Sequence, residues 1–518
     1  MGSAGSGNIE AKGEGAGIAV PNHTAARRTS YCSNRQSETA KIASITISAA
    51  VNSSARRQSG FRFMFPHAAA GTRSAFVDLI ISLGTIDHFC SGVAIANLPD
   101  PAWQPMLAAQ RAPLPRAGRR SKRRLAMLEN LAQQPADALL ALIKLHNADP
   151  RPDKIDLGVG VYRTGQGDTP VFAAIKAAEK VLLETQDSKS YLGPEGDMGF
   201  VHALMPYIFG ADDPTMGGRI EGMQTPGGTG GVRLAAALAH KAGIGRIRMG
   251  LPSWPNHAQI FADLDVELAG FKHATAEGVV DMVALREAIA ACQPGDAILL
   301  HGCCHNPTGI DYSNENWDEI AALIAAKGVL PIIDLAYQGL GAGMDEDAYG
   351  LRRVLGAVPE ALVAYSCDKN FGMYRDRVGA VYAMVADPAQ LDAVLSNGYS
   401  LARAAWSMPP DHGAAAVRII LSDPALVRVW LDELDTMRAR MRQVRARLAE
   451  TGMAGAIDLT PLGGQNGLFS VLPLSGDQIL ALRNDHGIYM AGSGRINVAG
   501  LTMGNIDKFI ANVGSVSA

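Results

Sequence analysis

Apolar residues along the longer, C-terminal part of the chain follow two alternating patterns. Short uninterrupted apolar runs, which are typical of buried strands, occur at residues 297–300, 329–333, 362–365 and 378–385. The stretches between them have the spacing of helices. This alternation predicts an α/β fold with a largely parallel sheet.

Helical patterns also precede and follow these strands. Residues 135–145 repeat leucine and isoleucine at helical spacing. A second helix is expected to start at Thr169-Pro170, because Thr is a good N-cap and Pro suits the first turn. Its apolar face would consist of Val171, Ile175, Ala178 and Leu182. The charged segment 430–450 predicts a long solvated helix that leads into a C-terminal α+β portion.

Composition describes an ordinary globular protein. The chain has 518 residues, 47% hydrophobic and 19% charged, enough for two or three domains. The apolar segment 76–96 is interrupted by Asp78, Asp87 and His88, so it is a poor membrane span. Six cysteines without a CxxC pair indicate a reducing compartment, and neither Cys nor His is spaced for a metal site. We therefore expect a cytoplasmic protein without membrane or metal.

The net charge of −3 hides a strong asymmetry. Residues 1–126 carry 16 basic and 6 acidic residues, whereas residues 127–518 carry 31 and 44. The basic segment is interpreted as a disordered tail or as a stretch translated ahead of a start at Met127. An organelle transit peptide and an N-myristoylated terminus at Gly2 are alternatives. The acidic remainder argues against nucleic acid as the main partner.

The most informative segment is Ser366-Cys367-Asp368-Lys369-Asn370-Phe371-Gly372-Met373-Tyr374-Arg375-Asp376-Arg377, between two predicted strands. A lysine at the rim of a sheet can bond covalently to a carbonyl cofactor. Ser366 and Arg377 offer a hydroxyl and a planar fork of donors, which together suit a phosphate. Taken alone, Lys369 would be interpreted as an ordinary surface lysine, so the role assigned to it depends on the other segments.

Two further segments point to an anion and a heterocycle. Residues 225–231, Thr-Pro-Gly-Gly-Thr-Gly-Gly, precede an apolar helix, where glycine N–H groups can approach an anion. The segment is not a dinucleotide fingerprint, because Arg233 stands where a third glycine would fall. Asp334 ends an apolar strand, and a carboxylate there can hold a pyridine nitrogen protonated. A helix-starting loop and an N-cap aspartate are the structural alternatives.

Loops after other strands carry the remaining candidates. His301 and His305 flank Gly302-Cys303-Cys304, but their spacing does not follow a helix face, so a metal pair is not expected. Trp254 near His257 could stack on a planar cofactor, although a lone tryptophan is more often core. Arg403 and Arg495 could each bind a carboxylate through two hydrogen bonds, or form a surface ion pair.

In this order, these segments resemble the class I aminotransferases, in particular the aspartate and aromatic amino-acid aminotransferase subgroup. The resemblance covers residues 127–516 and is most specific at 301–311 and 369–379. It implies a fold-type I transferase dependent on pyridoxal 5'-phosphate. Its mostly parallel large domain would span 170–435. A smaller α+β domain would be formed by both ends of the catalytic body, 127–169 and 436–518, and 1–126 has no counterpart.

The resemblance also implies roles around the cofactor ring. Lys369 matches the lysine that binds pyridoxal phosphate and moves the proton during catalysis. Asp334 matches the partner of the pyridine nitrogen, with His257 as its own hydrogen-bond partner. Trp254 matches the residue stacked on the ring, and Tyr337 matches a group on the ring hydroxyl. Lys369, Asp334, Tyr337 and Trp254 are thus the implied catalytic residues.

Other matches concern the phosphate and the substrate. The implied phosphate cradle consists of Gly228, Thr229, Ser366, Arg377 and a Tyr191 lent by the second subunit of a homodimer. The implied substrate contacts are Gly160, Trp254, Asn306, which also touches the ring hydroxyl, Arg495 on the α-carboxylate, and Arg403, which reaches across the dimer to a side-chain carboxylate. Small-molecule amino acids and 2-oxo acids would be the substrates.

The chain departs from the subgroup at three positions. Asp368 stands where a small hydroxyl residue usually precedes the lysine; it could raise the lysine pKa or point away. Trp406 and Met408 replace Tyr and Asn after Arg403 and make that wall more apolar, which favours aromatic substrates. An aromatic or aspartate aminotransferase is therefore expected, with a strict aspartate aminotransferase as the alternative. A regulatory binding protein on the same fold is a remote alternative, and both arginines disfavour a decarboxylase or lyase.

Overall fold

The structure is a computed structural model that describes Leu128, residues 131–133 and residues 138–518. The expectations for residues 1–126, including the basic extension and the 76–96 segment, lie outside the described residues. Residues Ala126–Ala518 group into one compact unit. Within the described ranges, no helix is long and apolar enough to cross a membrane.

The described residues alternate between helices and strands. The α-helices are α1 Ala138–Ala148, α2 Ala173–Thr185, α3 Met198–Phe209, α4 Gly227–Lys241, α5 Pro255–Asp263, α6 Met282–Ala290, α7 Asn314–Lys327, α8 Tyr349–Leu355, α9 Leu391–Trp406, α10 Asp411–Ser422, α11 Pro424–Thr451, α12 Gly476–His486 and α13 Ile506–Ser517. The strands are β1 Ile155–Asp156, β2 Ile220–Pro226, β3 Arg246–Leu251, β4 Glu267–Lys272, β5 Asp296–His301, β6 Leu330–Leu335, β7 Ala361–Ser366, β8 Val378–Met384, β9 Met453–Ala454, β10 Ile457–Asp458, β11 Phe469–Val471, β12 Ile488–Tyr489 and β13 Arg495–Asn497.

A seven-stranded sheet organises the larger part of the unit, in the order β2-β8-β7-β6-β5-β3-β4. All neighbours are parallel except β8, which is antiparallel to both β2 and β7. The predicted α/β fold with a mostly parallel sheet is confirmed. The four apolar runs identified in the sequence correspond to β5, β6, β7 and β8.

Helices cover both faces of this sheet because successive strand residues point to opposite sides. On one face Ile333 and its neighbours pack with Phe200 of α3 and Trp317 of α7 in the largest apolar cluster. On the other face Ile332 packs in a second cluster with residues of α4, α5 and α9, such as Phe261. Burial on both faces explains why these strands are continuous apolar runs.

A third apolar cluster joins the two ends of the described chain. Ile155 of β1 pairs in parallel with Ile488 of β12, and both are buried with Leu448 of α11 and Phe509 of α13. The two ends of the catalytic body thus form a smaller α+β layer, as the resemblance implies. The division at residues 169/170 and 435/436 stays a prediction.

The predicted start of the second helix was wrong. Helix α2 begins at Ala173, and Thr169 instead donates from Oγ1 to the carbonyl oxygen of Tyr162 at 2.8 Å. The first N–H groups of α2 donate hydrogen bonds to a residue that is distant in the sequence. The Glu433 carboxylate accepts from the N–H of Ala173 at 2.6 Å and from that of Ala174 at 3.2 Å. Val171 therefore precedes the helix and is exposed, whereas the other three predicted apolar residues are buried.

The charged 430–450 segment is helical as predicted, but it is not uniformly solvated. One face of α11 is buried along its length, from Trp430 to Leu448. Arg445 on this face is 2% exposed. Its guanidinium donates hydrogen bonds to Ser470 Oγ and to the carbonyl oxygens of Leu462, Asn466, Gly467 and Phe469. A buried guanidinium is tolerated here because these oxygens accept from both terminal nitrogens, although Nε has no partner among the described residues.

Candidate active site

The candidate site lies at one edge of the seven-stranded sheet. The parallel strands β5, β6 and β7 end at this edge. The antiparallel β8 begins there, and its first residue, Val378, pairs with Pro226 at the end of β2. Ligands bind at this edge in open parallel sheets. A cavity of about 310 Å³ opens here, lined by Leu139, Val159, Gly160, Val161, Gly228, Thr229, Trp254, His301, Asn306, Asp334, Ala336, Tyr337, Asp368, Lys369, Tyr374, Arg377, Phe469 and Arg495.

Asp334 near the end of β6 supplies a buried carboxylate to this cavity. His257 Nε2 lies 3.1 Å from Asp334 Oδ2, and Ser253 Oγ bridges His257 Nδ1 and His301 Nε2 at 3.1 and 2.9 Å. Burial raises the pKa of Asp334, but the hydrogen bond and charge of His257 outweigh burial and lower that pKa below its usual value. Among the described residues, Asp334 Oδ1 has no hydrogen-bond partner.

Lys369 follows β7 and faces the same cavity. Its Nζ lies 5.4 Å from the centre of the Tyr337 ring. Desolvation of the amino group lowers the pKa of Lys369, while the charges of Asp368 and Asp334 oppose that shift. A lowered pKa increases the fraction of neutral amine, which is the form that attacks a carbonyl. The charge of Asp368 favours the protonated lysine but does not outweigh desolvation, so the pKa of Lys369 is lowered overall.

Tyr337 and Asn306 form a second polar wall. Asn306 Nδ2 and Tyr337 Oη are 3.5 Å apart. Burial raises the pKa of Tyr337 strongly, so its phenol remains protonated and can donate a hydrogen bond. Asn306 Oδ1 is buried without a partner among the described residues. Both side chains therefore have polar capacity that a ligand could use.

The glycine-rich segment and the β7–β8 connection form a tight anion-binding corner. Helix α4 begins at Gly227, so its first N–H groups are directed to the cavity edge. A Cβ on Gly228 would lie 2.7 Å from Cβ of Ser366. Arg377 donates from Nη1 to Asp368 Oδ2 at 2.5 Å. Backbone donors, a hydroxyl and a guanidinium thus meet here, together with the carboxylate of Asp368.

Arg495 lies on the opposite side of the cavity, at the start of β13. Its Nη2 donates to the carbonyl oxygen of Gly158 at 3.0 Å, and its guanidinium stacks on the Phe469 ring with a 4.5 Å separation. Burial lowers the pKa of Arg495 from its ordinary value. Gly160 leaves room for this arrangement, since a Cβ there would lie 2.7 Å from Phe469 Cζ. Arg495 can donate hydrogen bonds to a carboxylate in the cavity.

Trp254 follows β3 and completes the wall above Asp334. Its indole packs edge-on against the His257 ring, with ring centres 5.0 Å apart and an angle of 86° between planes. This contact fixes one edge of the indole beside the imidazole that holds Asp334. A planar ligand bonded to Asp334 would lie within reach of the indole.

Four predicted site residues do not line this cavity. Tyr191 is 92% exposed, and Arg403, at the exposed end of α9, donates from Nη1 to Ser407 Oγ at 2.7 Å. The resemblance assigns both to the active site of a second subunit, and their roles stay a prediction. Ser366 and His257 are buried directly behind the cavity wall, against Gly228 and Asp334 respectively.

Several lining residues were missed by sequence reasoning. Tyr374 lies inside the recognised lysine segment, and its Oη accepts a hydrogen bond from the N–H of Tyr162 at 2.8 Å. His301 was considered only as a metal ligand. Phe469 lies about 100 residues after Lys369 in the sequence, without any motif that marks it. Only its packing against Arg495 reveals its place.

Among the residues that the structure describes, one cluster outside the cavity has metal-ligating atoms. Cys303, Cys304 and Asp347 bring two sulfurs and a carboxylate oxygen within 4.8 Å of one another, all buried. The carboxylate, however, already accepts hydrogen bonds from the N–H groups of Gly339, Gly341 and Ala342. Burial raises the pKa of Cys303 well above its usual value, so its thiol stays protonated. We therefore interpret this cluster as a part of the core in which the carboxylate is already hydrogen-bonded and the thiol is protonated.

The sequence of the chain is similar to those of known aminotransferases. Residues 152–513 match the family model described as aminotransferase class I and II. The chain is 53% identical to a tyrosine aminotransferase of Rhizobium meliloti over 379 residues, 72% of this chain and 96% of that protein. It is 42% identical to an aspartate aminotransferase of Escherichia coli over 385 residues, 73% of this chain and 97% of that protein.

Solved structures give the same result. A crystal structure of an aromatic-amino-acid aminotransferase from Burkholderia pseudomallei, covalently bound to pyridoxal phosphate, superposes with a TM-score of 0.73 at 32% identity and covers 76% of this chain and all of that one. The cytoplasmic aspartate aminotransferase of Saccharomyces cerevisiae superposes with a TM-score of 0.72 at 30% identity and covers 76% of this chain and 98% of that one.

Proposed function

Because the chain belongs to the class I and II aminotransferases, we propose that it transfers amino groups between an amino acid and a 2-oxo acid with pyridoxal 5'-phosphate held in the cavity at the sheet edge. The observation that carries this proposal is the joint placement of Lys369 and the partly unpaired carboxylate of Asp334 in one cavity. An amine and a carboxylate so placed suit a pyridine aldehyde.

The residues present fit this cofactor. The orphaned Asp334 Oδ1 could accept a hydrogen bond from the pyridine nitrogen, and Asn306 and Tyr337 could bind the ring hydroxyl. The first turn of α4, with Gly228 and Thr229, would bind the phosphate with Ser366 and Arg377. When bound, pyridoxal phosphate supplies an electron sink that stabilises negative charge at the substrate Cα.

This chain's own residues would do the remaining work. Lys369, with its lowered pKa, would act as the base that moves a proton at the substrate Cα. Asp334, kept ionised by His257, would hold the ring nitrogen protonated. Arg495 would bind the α-carboxylate through its free donors, oriented by the Gly158 carbonyl and the Phe469 ring. Trp254 and Gly160 would shape the space for the substrate.

We propose an aromatic amino acid, aspartate or both as amino donors, with a 2-oxo acid such as 2-oxoglutarate as acceptor. The relatives above, named for tyrosine and aspartate, support both classes. Met408 follows Arg403 on the apolar wall suggested by the sequence, and Trp406 packs against the cluster on the α9 side of the sheet. A strict aspartate aminotransferase is the second candidate, because Arg403 can bind a side-chain carboxylate.

The proposal includes a homodimer with shared active sites, in the cytoplasm, without nucleic acid or membrane as partner. Its support is the exposure of Tyr191 and Arg403, which leave this chain's own cavity without the two residues expected from a second subunit. Sedimentation analysis of the purified protein would test the dimer. A monomer with full turnover would contradict it.

The test of the function is a matched pair of variants. Lys369→Ala should lower kcat for transamination by at least about 10²–10⁴-fold. The variant should also lose its cofactor on gel filtration. Lys327→Ala, at the exposed end of α7, should retain turnover and bound cofactor. Turnover by Lys369→Ala at the level of the unaltered protein would refute the assignment. A panel of amino donors measured against 2-oxoglutarate would then rank aromatic substrates against aspartate.

A further inference from the structure

A carboxylate occupies the anion-binding corner of this chain. Asp368 is 1% exposed. Its Oδ2 accepts a hydrogen bond from Arg377 Nη1 at 2.5 Å, and its Oδ1 accepts one from the N–H of Val378 at 3.1 Å. Both oxygens are therefore held in place, and the guanidinium proposed to bind phosphate already has an anionic partner within the chain.

The same corner contains the other positive groups that a phosphate would use. A Cβ built on Gly227, the first residue of α4, would lie 2.5 Å from Arg377 Nη2 and 2.8 Å from Asp368 Oδ2. The carboxylate thus lies at the positive end of the helix as well as beside the guanidinium. Each positive charge available to an incoming phosphate is already partly neutralised by Asp368.

We propose that Asp368 is a built-in counter-anion of the phosphate cradle, which stabilises the cofactor-free protein and weakens binding of the cofactor phosphate. The inference rests on the proposed function, since it assumes that pyridoxal phosphate binds in this cavity. Without cofactor, Asp368 pairs with Arg377 and partly compensates the positive charge of the corner. With cofactor bound, Arg377 must serve a phosphate and a carboxylate at once, and the two anions repel each other.

Asp368 is a positioning residue in this scheme, because it acts on the phosphate through Arg377. A different route exists through Lys369, whose pKa Asp368 also raises. The two routes differ in their dependence on the phosphate group. Pyridoxal carries the same aldehyde and ring without phosphate, so it would respond to an effect on Lys369 but not to an effect on the cradle.

The experiment uses the full chain, prepared free of cofactor, with three forms: unaltered, Asp368→Ser and the control Asp376→Ser. Asp376 neighbours Arg377 in the sequence but does not line the cavity, so its substitution removes one nearby charge from outside the site. Dissociation constants for pyridoxal 5'-phosphate and for pyridoxal would be measured by absorbance titration. Thermal unfolding would be followed without cofactor.

For Asp368→Ser we expect roughly tenfold tighter binding of pyridoxal 5'-phosphate, as removal of one like charge near the phosphate would give. Pyridoxal affinity should be unchanged, and the cofactor-free protein should unfold at a lower temperature. Asp376→Ser should match the unaltered protein in all three measurements. Asp368→Asn removes the charge but keeps an oxygen for the Val378 N–H, and it should show the same pattern if the serine variant does not fold.

Other results would overturn the inference. Weaker binding of pyridoxal 5'-phosphate by the Asp368 variants would show that Asp368 supports the cradle, and equal binding would show that it does not oppose the phosphate. An equal gain for pyridoxal would place the effect at Lys369. Failure of the unaltered protein to bind pyridoxal 5'-phosphate at all would instead contradict the proposed function, and the two failures are therefore distinguishable.

Discussion

His257 and Asp334 are joined through only one of the two carboxylate oxygens. The imidazole Nε2 lies 3.1 Å from Asp334 Oδ2, while Oδ1 has no partner among the described residues. Ser253 fixes the other side of the ring through Nδ1. The carboxylate is therefore held ionised and immobile, yet it keeps one oxygen for a ligand. A buried acceptor left without a partner is costly unless a ligand occupies it.

Substitution of this carboxylate tests that arrangement. Asp334→Asn should lower kcat for transamination by about 10²–10³-fold, because the amide cannot hold a pyridinium charge. The fold should persist, since the amide has nearly the same shape as the carboxylate. Steady-state kinetics and circular dichroism would check both expectations. Asp318→Asn, which removes an exposed carboxylate on α7, should leave kcat unchanged. Near-normal turnover by Asp334→Asn would exclude a role in cofactor activation.

Glycine at position 228 tests the anion-binding corner. An added Cβ would lie 2.7 Å from Cβ of Ser366, the last residue of β7, and the backbone of that strand fixes the position of this Cβ. Gly228→Ala should therefore widen the corner and weaken cofactor binding by about tenfold, within the 1–3 kcal/mol typical of overpacking. Gly245→Ala is the matched control, because a Cβ there meets no atom within 4 Å. Equal affinities measured for both variants would show that the phosphate binds elsewhere.

The pH dependence of stability should reveal the buried His273. Its ring stacks on His305 with centres 3.5 Å apart and lies 2.8 Å from the Ile310 carbonyl oxygen through Nε2. Burial lowers the pKa of His273 from 6.5 to about 4. The unfolded chain therefore binds a proton first as the pH falls through 6.5, and folding stability is lost progressively between about pH 6.5 and pH 4.

The measurement is chemical denaturation at pH 7 and pH 5 of the unaltered protein and of His273→Phe, which keeps an aromatic ring on His305. The difference between the two pH values should be about 2 kcal/mol larger for the unaltered protein. Burial also lowers the pKa of His301 and His305, and both histidines are present in the variant as well as in the unaltered protein. Identical pH dependence would mean that His273 is not protonated preferentially in the unfolded chain.

Much of the sheet and half of the cavity could be predicted from local sequence. Asp334 and Lys369 end or follow continuous apolar runs, and a run buried on both faces is a clear signal of a central parallel strand. The edge at which parallel strands end is shared, so the sequence order of these residues already indicates a common site. Lys369, Asp334 and Asn306 do line one cavity.

What local sequence could not reveal depends on contacts between distant residues. The start of α2 at Ala173 is fixed by Glu433, 260 positions away, so the Thr169-Pro170 signal lost to a cap from another helix. Arg445 lies in a charged segment, yet it is buried, because backbone carbonyl oxygens such as that of Gly467 accept hydrogen bonds from its guanidinium. Phe469, the first residue of β11, also lines the cavity. No local pattern records which distant partner satisfies a polar group.

The last prediction concerns the choice between dicarboxylate and aromatic substrates. Arg403 is exposed at the end of α9, where its guanidinium donates to Ser407 Oγ rather than to a carboxylate. In the proposed homodimer, Arg403 would bind the side-chain carboxylate of a substrate in the neighbouring subunit. Loss of that partner would leave a desolvated carboxylate unpaired, at a cost of about 3–5 kcal/mol. Aromatic side chains carry no such charge.

Arg403→Ala should therefore lower kcat/KM sharply for aspartate and for 2-oxoglutarate, while the half-reaction with tyrosine or phenylalanine should change little. Each half-reaction must be followed separately by rapid mixing, because 2-oxoglutarate as acceptor would otherwise impose its own loss on every donor. Arg428→Ala on α11 serves as a control for removal of a surface arginine. A fall of equal size for aspartate and phenylalanine would show that Arg403 supports the fold or the dimer, and substrate choice would then have to be sought in the apolar wall around Met408.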